Sequence, residues 1–343
     1  MPASPFASRS ELARSFNTGL AAMLEAHEGL GVYILVLANA LQDPGLWPVL
    51  RDTLARRHAH HRQALVETLR RGRRPCEPED DLTVFLKLLA IGFEHLTPVE
   101  RRRVAGEGAS PTWEIQFNPI RALRPARMSD VRVEGVMRPF DACGFHFNKP
   151  FLAREVFWEG VLAGKPARLL YNKFPFAPVH GLLVPEPEKE RPQFLTPELH
   201  GWAWEVARSA GEAIPGFGLA YNSYGAHASV NHLHFQTFAR ETPLAAMEAS
   251  EDYPLARHWH EDMESAWFQI DDLHQRQTAY NLIYDRSGLL LIPRARQGEI
   301  AEQTWSSGFA WSEVAGTFPV ASRDDYDKLT HADLRTALAG LAA

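Results

Sequence analysis

From about Glu11 to Arg103 apolar residues recur every three or four positions without strict alternation, the spacing of helices with one buried face. The segments "ELARSFNTGLAAMLEAH", "WPVLRDTLARRHAHHRQALVETLRR" and "DLTVFLKLLAIGFEHL" carry this pattern most clearly. Pro75 and Pro78 break the run, and "TPVERR" reads as a further turn and helix start. Residues 1–110 are therefore expected to form an α-helical N-terminal module. After "GEGASPTW" the pattern changes to β-branched and aromatic runs, with "ARLLYNKF" and "VHGLLVPE" predicted as strands around the turn "PFAP". In "TPELHGWAWEVARSAGEAIPG", Thr196 can cap a helix with Pro197 at its first position; Leu199, Trp202, Val206 and Ala210 line one face, and Pro215 and Gly216 end it. "FGLAYNSYG" and "VNHLHFQTF" follow as strands. Short links between strand, strand, helix, strand and strand predict an α+β layout over residues 111–343, an antiparallel sheet with helices packed on it.

A faint internal echo accompanies this order. "LLYNKFPFAPVHGLLVP" and "TAYNLIYDRSGLLLIP" share Tyr-Asn, a turn and an apolar strand ending in Pro, which suggests a degenerate second repeat. The second copy has no counterpart of His180 and no His-X-His after it.

Composition narrows the field. A chain of 343 residues, 45% hydrophobic and 23% charged, can bury a large core without covalent staples. Cys76 and Cys143 cannot make a disulfide framework, so free thiols in a reducing compartment are expected. "MPASPFASRS" lacks the pattern of a secretion signal and "GVYILVLANAL" is too short to span a bilayer, so a cytoplasmic protein with no membrane partner is expected. With 36 basic against 42 acidic residues the formal net charge is -6, giving no reason to expect nucleic acid as a partner.

The chemistry concentrates in "VNHLHFQTF". Read as a strand, it sends His232, His234, Gln236 and Phe238 to one face and Leu233, Phe235 and Thr237 to the other. A zinc site is one reading, with His227 or His180 as third ligand, although Gln236 is a poor zinc ligand. Histidines satisfied by core carbonyls are another. The preferred reading is a nucleophile: a neutral imidazole with one nitrogen held protonated directs its other lone pair at an activated phosphorus. His234 is then the attacking group, His232 an orienting neighbour and Gln236 a neutral donor for the non-bridging oxygens. No phosphate-binding Gly-rich loop, dinucleotide fingerprint, Gly-X-Ser-X-Gly elbow or Cys-X-X-Cys pair is present.

The stretch "YNSYGAHASVNHLHFQ", Tyr221 to Gln236, resembles the active-site segment of the histidine-triad-like (HIT-like) superfamily in its transferase branch. That branch has His-X-His-X-Gln where the hydrolases carry a third histidine. Within it the chain is most similar to the GDP-L-galactose and GDP-D-glucose phosphorylase family, through the further blocks "FNPIRALRPAR", "MRPFDACGFHFNK", "PVHGLLVP", "AYNLIYDRSGLLLIP", "FAWSEVAGTFPV" and "RDDYDKL". The resemblance implies a HIT-like sheet in which His234 is the nucleophile, Gln236 contacts the transferred phosphate and His232 supports the site. It also implies that Asn222, Gly225 and Ser229 wrap the phosphates, and that His180, Asn172, Arg121 and Lys149 contribute to substrate binding. Lys173, in "NKF", departs toward the diadenosine tetraphosphate phosphorylases and could reach an extra phosphate. His227 stands where an aromatic is expected.

The expected activity is thus phosphorolysis of a nucleotide sugar, with GDP-hexose and inorganic phosphate as small-molecule partners and no required cofactor. A divalent cation, a structural zinc and a homodimer stay open. So do a dinucleoside polyphosphate phosphorylase, a hexose-1-phosphate nucleotidyltransferase, a hydrolase and a non-catalytic nucleotide sensor. In the helical third, His58 and His61 share a helix face among arginines, expected to be a solvated basic surface rather than a metal or anion site.

Overall fold

Ser8 accepts the backbone N–H of Glu11 and so starts α1 (Arg9–Ala26), the first of the four α-helices described in the N-terminal third. A computed structural model describes residues 4–108, 110–123, 133–250, 252–300, 303–306 and 308–343. The Arg124–Arg127 end of the block "FNPIRALRPAR" lies outside the described residues. Next come α2 (Leu30–Gln42), α3 (Leu46–Arg70) and α4 (Glu79–Ile91). The stretch set aside above as too short for a bilayer is α2, apolar on nearly every side because α1, α3 and α4 surround it. No described helix is long and apolar enough to cross a membrane.

His58 and His61 do not form a solvated face. They continue the inner stripe of Trp47, Leu50 and Leu54 at three- and four-residue spacing and are buried. His58 Nδ1 is 2.8 Å from the Tyr33 hydroxyl, and both rings pack against Tyr33 and Phe85. The arginines around them made the stretch look polar throughout.

"TPVERR" is not a helix start either. It leads into β1 (Glu100–Val104), which pairs antiparallel with β2 (Trp113–Phe117), so a strand ladder joins residues on either side of position 110. The partner strand is remote enough in pattern that the local sequence does not announce it.

The large sheet contains β3 (Val156–Leu162), β4 (Lys165–Tyr171), β5 (Gly181–Pro185), β6 (Phe217–Asn222), β7 (Phe235–Ala239), β8 (His258–His260), β9 (Ala279–Tyr284) and β10 (Leu289–Arg294). Their spatial order is β3-β4-β5-β7-β6-β9-β10-β8, with every pair antiparallel. Between β5 and β6 runs α5 (Pro197–Ala213), capped by Thr196, and between β8 and β9 runs α6 (Met263–Gln275), capped by Asp262. Leu199, Trp202, Val206 and Ala210 of α5 join Ala266, Ile270 and Leu273 of α6 in one core on one face of this sheet. The predicted α+β layout with packed helices is therefore the observed one.

The opposite face carries a second core, closed by α7 (Trp311–Val314), β11 (Thr317–Val320), α8 (Arg323–Lys328) and α9 (His331–Ala339). β11 lies parallel to β2 and completes a three-stranded sheet. The two segments of the internal echo form hairpins on either side of the central β6–β7 pair. Their Tyr-Asn pairs are not equivalent, since Asn172 follows the end of β4 whereas Asn281 lies inside β9.

Gly216 turns the chain between α5 and β6 at φ +76°, and a Cβ there would fall 1.8 Å from the Arg240 carbonyl oxygen. Left-handed backbone and a backbone clash both oppose a side chain. Gly216→Ala is therefore expected to destabilise the fold by roughly 3 kcal/mol or more, read as a lowered midpoint in urea unfolding.

Candidate active site

β6 and β7 pair as far as Ala220 with Gln236; continued, the register would oppose Tyr221 to Phe235 and then Asn222 to His234. There the strands part around a side chain from elsewhere. Gln193 accepts the His234 N–H with Oε1 (2.9 Å) and donates Nε2 to the carbonyls of Asn222 (2.9 Å) and His234 (3.3 Å). One amide thus meets the hydrogen-bonding needs that a continued ladder would have met. β7 consequently starts at Phe235, and the alternation read through Val230–Phe238 holds only from there.

This changes the role of His232. Its side chain does not line the cavity with His234; its Nδ1 accepts the backbone N–H of Phe147 at 3.1 Å, and its ring packs among Phe140, His146 and Phe147. What it gives His234 is its backbone carbonyl, 2.8 Å from His234 Nδ1. A carbonyl only accepts, so His234 Nδ1 carries the proton and Nε2 keeps its lone pair. Burial lowers the pKa of His234 to about 4, which keeps the ring neutral.

Gln236 is oriented by two donors on one oxygen. The Trp311 indole Nε1–H and His180 Nε2 each lie 2.9 Å from its Oε1. Indole nitrogen donates only, so the Gln236 oxygen must face Trp311, and its NH2 is left for the cavity that Gln236 lines. His180 is neutral, its pKa lowered to about 3 chiefly by burial and secondarily by the Arg121 charge. Its Nδ1 accepts the Phe176 N–H at 3.3 Å, which places its proton on Nε2. Asn172 Nδ2 approaches that same nitrogen at 3.2 Å, a donor-to-donor contact rather than a bond, while Asn172 Oδ1 accepts the Phe174 N–H and shapes the turn. Asn222 is arranged like Gln236: its Oδ1 accepts the Trp311 backbone N–H (3.0 Å) and Asn281 Nδ2 (2.7 Å).

A cavity of about 260 Å³ opens over these groups. His234, Gln236, Asn222, Ser229, Asn172, Lys173 and Arg121 all line it, as does His227. Arg121 is not a solvated charge; it is buried, with its guanidinium 4.0 Å over the Phe176 ring and Nη1 bonded to the Phe174 carbonyl. The helical module forms the opposite wall through Gly29–Val32 of the α2 start and Glu77, Pro78, Asp80 and Asp81 around the α4 start. Lys173 is ion-paired with Asp81 across this gap, and Gly31 leaves room for the pair, since a Cβ there would sit 2.6 Å from Asp81 Oδ2. The loop between β4 and β5 is also held by helix side chains: Asn39 Nδ2 bonds the Asn172 carbonyl and Gln42 Nε2 the Pro175 carbonyl, each at 2.9 Å.

Several residues expected at the site stand elsewhere. Lys149 is half-buried and donates to the Ala142 carbonyl, outside the cavity. Gly225, at φ +91°, serves a turn whose carbonyl accepts the Gln297 N–H, and it does not reach the cavity. His180 acts behind Gln236 rather than on the cavity surface. The sequence reading missed Gln193, Trp311 and the acidic wall of α4; of these only Trp311 lies in a recognised block, "FAWSEVAGTFPV". Among the described residues no three His, Cys, Asp or Glu side chains are grouped to hold a metal ion.

Solved structures share this architecture. Yeast Ap4A phosphorylase Apa2 superposes with a TM-score of 0.52 at 18% identity, covering 78% of this chain and 96% of that one. Its complex with Ap4A gives 0.51 over 78% and 99%. The chain therefore has the HIT-like fold. Residues 95–238 match the model of the family described as "GDPGP1-like, N-terminal domain". GDP-D-glucose phosphorylase 1 of Homo sapiens is 28% identical over 266 residues, 63% of this chain and 67% of that protein. GDP-L-galactose phosphorylase 1 of Arabidopsis thaliana is 31% identical over 153 residues, 39% of this chain and 33% of that protein.

Proposed function

We propose that the protein is a nucleotide-sugar phosphorylase that converts GDP-hexose and inorganic phosphate to hexose 1-phosphate and GDP. His234 carries the reading: a buried, neutral imidazole with Nδ1 tied to a carbonyl presents its unprotonated Nε2 to a cavity beside two oriented amides. In the first step His234 Nε2 attacks the α-phosphorus. The P–N bond forms as the bond to the bridging oxygen breaks, and hexose 1-phosphate departs with that oxygen. In the second step a phosphate oxygen attacks the same phosphorus, the P–N bond breaks, GDP leaves and the imidazole is restored. The Gln236 and Asn222 NH2 groups are placed to donate to non-bridging oxygens without adding a charge. Ping-pong kinetics follow from the covalent intermediate.

Phosphorolysis of dinucleoside tetraphosphate is the second reading, favoured by the presence of Lys173 on the cavity wall. The ion pair of Lys173 with Asp81, and the presence of Glu77, Asp80 and Glu155 on the lining of the same cavity, weigh against a longer phosphate chain, whose extra charges would meet carboxylates. The exposed free thiols Cys76 and Cys143 suit a reducing, cytoplasmic setting.

Product analysis with GDP-, UDP- and ADP-hexoses and diadenosine tetraphosphate, with and without phosphate, tests the proposal. Phosphate-dependent release of GDP from GDP-hexose is expected. Release of nucleoside monophosphate indifferent to phosphate would overturn it in favour of a hydrolase.

A further inference from the structure

Among the described residues, Trp311 alone bonds both amides of the site from behind. Its indole N–H bonds Gln236 Oε1 and its backbone N–H bonds Asn222 Oδ1. The second bond also satisfies an N–H in the first turn of α7, which has no partner within its own helix. The ring is buried, stacked on Phe238 at 4.8 Å and 22° and packed against Phe176 at 5.4 Å, so it has little freedom to turn.

We propose that Trp311 is a positioning residue for phosphoryl binding, holding the Gln236 and Asn222 amides with both NH2 groups toward the cavity. A terminal amide rotates easily by half a turn, and either end can point at a ligand. An oxygen pointed at a phosphate oxygen would set acceptor against acceptor. His180, its proton held on Nε2 by the Phe176 N–H at Nδ1, donates to the same Gln236 oxygen, and the indole, which can only donate, fixes that oxygen from a second direction. Trp311 therefore settles the orientation of the Gln236 amide together with His180. It touches no substrate atom in this role.

The inference rests on the phosphorylase reading, and the test separates the two. A double-mutant cycle of Trp311→Phe and Gln236→Ala is measured both on kcat for GDP-hexose phosphorolysis and on the equilibrium affinity for GDP. Trp311→Phe keeps an aromatic ring and loses the N–H. It is expected to lower kcat by roughly 10- to 100-fold and weaken GDP binding several-fold. In the Gln236→Ala background it should add less than about threefold to either loss. A purely structural Trp311 would give additive losses in the cycle, and that result, or no loss in the single variant, overturns the proposal. Absence of turnover in the unaltered protein would sink the phosphorylase reading while the GDP-affinity cycle still decides the role of Trp311. Should Trp311→Phe fail to fold, 3-benzothienylalanine at position 311, which keeps the bicyclic shape and has no N–H, takes its place in both measurements.

Discussion

His234→Ala is expected to lower kcat for GDP-hexose phosphorolysis by a factor on the order of 10⁴ to 10⁶, because it removes the group proposed to accept the nucleotidyl group. Among the described residues the substitution removes one side-chain hydrogen bond, from Nδ1 to the His232 carbonyl, so the folded state should persist. Quenched-flow mixing of the unaltered protein with labelled GDP-hexose in the absence of phosphate should trap a nucleotidyl-protein that is labile in acid and stable in base. The variant should form none. A variant with undiminished turnover, or one that still acquires label, would remove His234 from the chemistry.

Acid is expected to unfold the protein at a pH where its carboxylates are still ionised. His61, His180, His200, His232, His234 and His274 are all held neutral, each with a pKa lowered to about 4 or about 3 and with burial as the leading cause. Unfolded, each returns to about 6.5 and takes up a proton, while the native state takes up none. The native state therefore keeps its full stability above about pH 6.5 and loses it as the pH falls toward 4. Each histidine contributes about 1.4 kcal/mol per pH unit in that window, and six together about 8 kcal/mol. Against a native stability of roughly 5–15 kcal/mol, that slope places acid unfolding between about pH 5 and 6. Thermal melts from pH 7.5 to 5 should show a steep fall in Tm beginning near pH 6.5, with several protons taken up per molecule. A Tm flat down to pH 5 would show that these rings are already charged or solvated in the native protein. The acid limb of activity should accordingly follow unfolding, since His234 itself stays neutral to about pH 4.

What the sequence made legible was whatever is decided locally. α5 was readable because its cap, its first-turn proline and its apolar stripe lie within one short segment. The proposed nucleophile stands out in the sequence because His-X-His-X-Gln is a compact pattern. The strand alternation through His232 was not, because Gln193, 39 positions before His232 and with no local pattern of its own, parts the two strands there. The orientation of Gln236 was equally hidden, since its two donors, His180 and Trp311, lie 56 and 75 residues away. β1 was hidden for a related reason: its ladder is completed by β2, across a turn that the charge-rich "TPVERR" does not predict. His58 and His61 had the spacing of core residues, and only their arginine neighbours pointed outward.

The loop between β4 and β5 takes its shape from Asn39 and Gln42, two side chains of a helix more than a hundred residues earlier. A fragment beginning at residue 111 would carry His232, His234 and Gln236 and still lack both of those anchors, along with Asp81 and the far wall. Residues 111–343 carry the His-X-His-X-Gln pattern by themselves, but not the whole of the cavity wall. Trading the helical third for that of a relative should therefore change which sugars and bases are admitted while leaving the transfer step intact.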